Sequence, residues 1–206
     1  MSMGSSLAMK PKEGASPPMK EGEHGFSLAE IMVAVVLLLL FAALTVPSLT
    51  TALNAWQLNA DARKISTTLM SAKLRTTSQA TRYRVHFDVP NNSFNCQRFN
   101  RTTGNYVDIA DESAVTLSDG ISNSGIHLVA DSGGSGPTGF PTTSSEFIIF
   151  NSRGIPVDNG GVPTGANVVY LSNSSTSYAV TVSQVGRIQL WKLDGSQWVT
   201  EPAPAP

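Results

Sequence analysis

Among its 206 residues the chain has one cysteine, Cys96. An intramolecular disulfide is thereby excluded, and so is any metal site built on paired cysteines. Histidine is scarce as well. His24 lies close to the N-terminus, and His86 and His127 have no partner at ligand spacing. Nothing in the sequence sets a histidine beside Cys96 or a serine as a nucleophile–base pair. A dominant charge sign is also missing. The formal net charge is −1, and from Thr81 onward seven Lys/Arg face ten Asp/Glu, a difference of −3. Phosphate binding rests on cationic contacts, which such a surface supplies poorly. Asp158-Asn159-Gly160-Gly161 carries one acidic residue, too few for a hard-cation site, and reads as a turn. The expectation is a protein without enzymatic activity, cofactor or metal.

Charge is absent altogether from Ile31 to Leu44, a 14-residue apolar run. Phe26 to Val46 is 21 residues, close to the ~20 that cross a bilayer as a helix. Glu30 stands at the front edge of this run, where a carboxylate in lipid is costly and calls for a reason. A cleaved export signal would fit the length of the run. It would leave Glu30 unexplained, and Ala52-Leu53-Asn54-Ala55 is a poor cleavage site. An ordinary membrane anchor leaves Glu30 unexplained too. Residues 1–24 mix Lys10, Lys12 and Lys20 with Glu13, Glu21 and Glu23 among Ser, Gly and Pro, and nothing there could build a core.

Gly25-Phe-Ser-Leu-Ala-Glu30 followed by an apolar helix resembles the N-terminal signal of type IV pilins and type II secretion pseudopilins. The resemblance implies that a prepilin peptidase cuts after Gly25 and methylates the new N-terminal Phe26. It implies that Glu30 pairs with the N-terminus of a neighbouring subunit during assembly. It also places a helix-bending proline at Pro47. Residues 1–25 would then be a leader peptide, and 26–80 a helix with 26–46 in the inner membrane.

Glycine and proline are missing from Ser48 to Ala80. Within that stretch Leu58, Ala62, Ile65, Leu69 and Ala72 recur at spacings of four and three, a narrow apolar stripe. One helix from about Phe26 to about Gln79 is expected, bent near Pro47 because the ring removes a backbone hydrogen bond.

From Thr81 the period changes to two. Tyr83, Val85 and Phe87 alternate with Arg82, Arg84, His86 and Asp88, a half-buried strand. Pro90-Asn91-Asn92 reads as a turn and Phe94 to Phe99 as the returning strand. Further strands are expected at Tyr106–Ile109, Val115–Leu117, Ile126–Val129, Phe147–Phe150, Val168–Leu171, Tyr178–Val182, Arg187–Leu193 and Trp198-Val199. Cys96, among apolar neighbours, reads as a small core residue. Gly134-Ser-Gly136-Pro-Thr-Gly139 matches G-x-G-x-x-G literally, but no helical pattern follows, so a flexible surface loop is expected rather than a dinucleotide site. The fold class is α+β: a long N-terminal helix, transmembrane then amphipathic, packed on an antiparallel β head at 81–200. Residues 201–206, Glu-Pro-Ala-Pro-Ala-Pro, read as a disordered, extended tail.

Phe150 to Pro156 and Tyr178 to Gln189, which contains Gly186-Arg187, resemble the strand-turn and closing hairpin of the GspH/FimT minor pilins. That resemblance implies a minor pseudopilin with its head in the periplasm. Its partners would be the prepilin peptidase, other pilins in a filament, the inner membrane and secreted cargo. Some FimT-type pilins take up DNA through Gly-Arg-x-Arg. Here Gln189 stands in place of the second arginine, which leaves Arg187 and Lys192 as a weak DNA contact and a type IV pilus role as the alternative.

Overall fold

The computed structural model describes residues 26–110, 112–118 and 126–201. The chain divides into two compact units, residues 1–43 and 44–206. The assignment of helix α1, Leu28–Gln79, continues through Pro47. Its first part belongs to the N-terminal unit and the remainder to the second. The expected helix limits are met to within two residues.

In the second unit the apolar stripe of α1 is the spine of the core. Leu58, Ala62, Ile65, Leu69 and Ala72 are each fully buried. They meet the inner faces of two antiparallel sheets. The first sheet contains β1 (Tyr83–Asp88), β2 (Ser93–Asn100), β3 (Asn105–Asp108), β4 (Val115–Thr116), β6 (Phe147–Phe150) and β7 (Pro156–Val157), in the order β3-β2-β1-β6-β7 with β4 on β2. The second contains β5 (His127–Val129), β8 (Asn167–Ser172), β9 (Ser177–Val182), β10 (Ile188–Asp194) and β11 (Gln197–Thr200), in the order β11-β10-β9-β8-β5. Tyr83, Val85 and Phe87 of β1 point inward as the alternation requires, beside Phe94 and Cys96 of β2. The second sheet adds Val169, Leu171, Val180, Val182 and Leu190. This is the α+β architecture expected from the sequence.

β8 and β9 are apolar on both faces. Val169 and Leu171 face the helix, while Val168, Tyr170 and Ala179 form a second cluster outside with Phe140, Trp191 and Trp198. The G-x-G-x-x-G segment lies over that cluster. Trp198 Nε1 donates to the Ser135 carbonyl at 2.6 Å, and the Tyr170 hydroxyl donates to the Pro141 carbonyl at 2.7 Å. Gly136 packs so closely on the Tyr170 hydroxyl that a Cβ would collide with it. The segment is therefore a pinned cover of the sheet, not the freely moving loop expected. β7 was not expected either. It is two residues long, with Pro156 at the sheet edge where its missing N–H costs no ladder bond.

Candidate assembly site

In the N-terminal unit the Ser27 carbonyl accepts from the Glu30 and Ile31 amides at 3.0 and 3.1 Å, which starts α1. Ser27 and Glu30 have the spacing of a capping box, Ser-x-x-Glu. No hydrogen bond or ion pair of the Glu30 carboxylate occurs among the described residues, and Glu30 is exposed. Its place in the first turn suits the positive end of the helix dipole. Phe26, immediately before the helix, is 79% exposed, and every described residue from Leu28 to Ala43 is exposed as well. The segment is long and apolar enough to cross a membrane. A carboxylate on an otherwise apolar, exposed helix is the chemical signature of this unit's described residues. Any medium that covers the apolar surface also removes water from Glu30 and makes a cationic partner valuable. Gly25, the expected cleavage residue, lies outside the described residues.

The second unit holds its charged groups differently. Asp61 is fully buried on the helix, where Oδ1 accepts from Lys64 Nζ at 2.6 Å and Oδ2 from the Ser118 amide at 2.9 Å. The Arg75 guanidinium grips Glu112 through both carboxylate oxygens, one contact measuring 2.8 Å. Lys73 Nζ donates to the Gly186 carbonyl at 2.8 Å, and its methylenes lie against Gly154. Gly154 and Gly186 have φ of 74° and 76°, and a Cβ on Gly186 would strike the Gly154 carbonyl. The β6–β7 and β9–β10 turns thus meet beneath one lysine. That the two turns touch is not visible in the sequence, where Gly154 and Gly186 stand 32 residues apart.

Cys96 is buried, and desolvation pushes its thiol up to about 11, which keeps it protonated and inert. His86 Nε2 lies 3.9 Å from Glu146, and His127 is exposed on β5. No group of three or more His, Cys, Asp and Glu that could hold a metal occurs among the described residues. Asp158 is spent on its own turn, with Oδ1 accepting from the Val162 amide at 2.9 Å.

Arg187 is exposed and lines a groove of about 570 Å³ between α1 and β10, together with Arg63, Met70, Ile188 and Glu201. Lys192 does not line that groove, so the two cations singled out for DNA are not brought together there. Glu201 is not part of a disordered tail as the sequence suggested. Its amide donates to the Leu190 carbonyl at 2.9 Å, and its carboxylate stands 4.0 Å from Arg63. The other tail residues, 202–206, lie outside the described residues.

Fold and site together define an α+β protein, with an exposed apolar helical stretch in its N-terminal unit and a buried helical stripe at the core of an antiparallel β head in its second. No family model matches the chain, and no curated protein matches it. Among solved structures, it is similar to the minor pseudopilin EpsH from the type 2 secretion system of Vibrio cholerae. That likeness has TM-score 0.45 and 13% identity, over 65% of this chain and 95% of that one. The type IV minor pilin FimU of Pseudomonas aeruginosa is also similar, with TM-score 0.41 and 17% identity over 69% and 92%. At these identities no residue role passes from either protein to this chain.

Proposed function

We propose that the chain is a minor pilin-like subunit that assembles into a type II secretion pseudopilus. The reading rests on one observation: an exposed carboxylate, Glu30, with no hydrogen bond or ion pair among the described residues, in the first turn of an exposed apolar helix. Processing after Gly25 by a prepilin peptidase would leave Phe26 as an N-terminal, methylated ammonium. That cation sits about one helical turn from Glu30 in its own chain. Its counterpart on an adjacent chain is the partner the carboxylate requires. In a low-dielectric helix bundle an unpaired carboxylate is strongly penalised, so pairing selects one axial register between subunits. Pro47 is the proposed bend between the membrane segment and the head-bound segment. The head would face the periplasm and meet neighbouring subunits or secreted cargo. A type IV pilus would use the same N-terminal chemistry, and among the described residues Arg187 and Lys192 do not line one groove that would favour DNA as the ligand of the head.

The test is intact mass and N-terminal sequence of the protein purified from membranes, with and without co-expressed prepilin peptidase. The expected product begins at Phe26 and is one methyl heavier than the unmodified chain. A product beginning downstream, near Trp56, or a chain unchanged by the peptidase, overturns the reading.

A further inference from the structure

The first sheet carries its charges at opposite ends. Tyr83, at the start of β1, stands opposite Arg98 of β2 and Phe150 of β6, and Asp88, at its finish, stands opposite Ser93. Arg82 precedes β1, Arg101 follows β2 and Arg153 lies in the turn after β6, so all four arginines fall at the Tyr83 end. The approach of Gly186 to the Gly154 carbonyl brings Arg187 to the same end. Five of the seven Lys/Arg from Thr81 onward thus gather there. None of the five forms an ion pair among the described residues, and all but Arg82 are exposed. The nearby carboxylates are engaged elsewhere, Asp158 by the Val162 amide and Glu201 by Arg63. Two of the guanidinium groups are held in place. Arg101 Nη2 donates to the Ala80 carbonyl at 2.7 Å, and Arg82 Nη1 donates to the Asn159 carbonyl at 3.1 Å while lying 4.2 Å over the Phe99 ring.

The opposite end is acidic. Asp88 closes β1, and Glu146 precedes β6, where its carbonyl accepts from the Phe87 amide at 2.8 Å. Both line one shallow cleft with His86 and Pro90, and no Lys or Arg lines it. Asp131 is bridged to Thr143 on the rim of the same cleft. The six residues of β1 span about 20 Å. That is about twice the distance over which salt screens exposed charges, so the two ends do not neutralise each other within one head. The Tyr83 end adjoins the C-terminus of α1, where the Tyr83 hydroxyl donates to Gln79. The Asp88 end lies several turns back along the helix. There the Leu117 amide donates to the Asn92 carbonyl and the Ser118 amide to Asp61. The charge axis therefore follows the head-bound part of α1.

We propose that a second copy of the chain stacks on the head, the arginine end of one copy meeting the end of the next that carries Asp88 and Glu146. Both halves of the contact are present on one molecule and they differ. The contact is therefore heterologous, and repeats from copy to copy instead of closing a symmetric pair. Arginine suits it, because a planar guanidinium grips a carboxylate through two parallel hydrogen bonds. Like ends repel, so the same charges also fix the direction of docking. The contact rests on the reading of the chain as an assembling subunit, but not on cleavage after Gly25 or on Glu30.

The experiment is sedimentation velocity of the uncleaved full chain in detergent micelles, over a range of protein concentrations. Association is expected at low salt. It should weaken about tenfold or more in about 1 M salt, where the screening length is about 3 Å. Two variants spoil one end each: Arg98→Glu with Arg153→Glu, and Asp88→Asn with Glu146→Lys. Each alone should associate about tenfold or more weakly than the unmodified chain. Mixing the two should restore association, but only as one-to-one pairs, because each variant keeps one intact end. A chain that stays monomeric at low salt overturns the proposal, as does association that ignores both variants. Loss in the arginine variant alone also overturns it, and assigns that end to a different anionic partner. Because the chain is used uncleaved, the outcome is independent of the peptidase test above.

Discussion

At Gly186 a backbone conformation and a close approach coincide. The residue has a positive φ of 76°, its carbonyl is held by Lys73, and its Cα faces the Gly154 carbonyl. Gly186→Ala meets both the left-handed penalty and a backbone collision, so it should lower stability by about 2–4 kcal/mol in denaturant titration. Cys96 offers a second residue-level check. Desolvation raises its thiol to about 11, so the folded state keeps a proton that the unfolded chain releases near its ordinary value of 9.0. Stability from this group is complete below the unfolded value and falls as pH rises from about 9 towards 11. In Cys96→Ala the alkaline part of that decline should be shallower. Thiol alkylation of the native chain at pH 8 should proceed no faster than unfolding.

Among the elements, α1 of the second unit shows how far periodicity carries. All five residues of the expected stripe are fully buried, whereas Leu74, two residues beyond Ala72, is 64% exposed. Leu69→Ala should therefore cost about 2–5 kcal/mol through lost burial and a residual cavity. Leu74→Ala should stay within about 0.5 kcal/mol. Asp61 was not legible as part of the same buried face. Its partners are Lys64 on the next turn and a backbone amide at Ser118, and the second exists only once the chain has folded. The strands of alternating pattern could be read directly, because one face of each is wet. β7 could not, since two residues carry no period and are defined by the β6 backbone beside them. From sequence the literal G-x-G-x-x-G reads as a free loop because its anchors, Trp198 and Tyr170, lie far away along the chain.

For the whole molecule, the two units differ in what their sequences reveal. The N-terminal unit declares itself through composition: an uncharged run with one carboxylate at its edge needs no tertiary context to be noticed. The head is legible as a fold class, but its joints are not, because Lys73, Gly154 and Gly186 come together only in three dimensions. The proposed function separates the units experimentally. Glu30→Ala should leave the thermal unfolding of the head unchanged, because Glu30 belongs to the N-terminal unit and is not part of the head's core. The same substitution should greatly reduce recovery of the protein in sheared filament fractions. Equal loss of head stability and filament recovery would instead assign Glu30 a folding role.

The clasp of Lys73 over the two glycine turns also bears on mechanics. The lysine side chain, a single graft from the helix, ties the turn of one sheet to the turn of the other. In the proposed filament under tension, force arriving along the helix would reach both sheets together through this lysine. The alternative, peeling one sheet away bond by bond, yields at much lower force. A head joined in this way should fail in one step rather than in two when pulled by its helix.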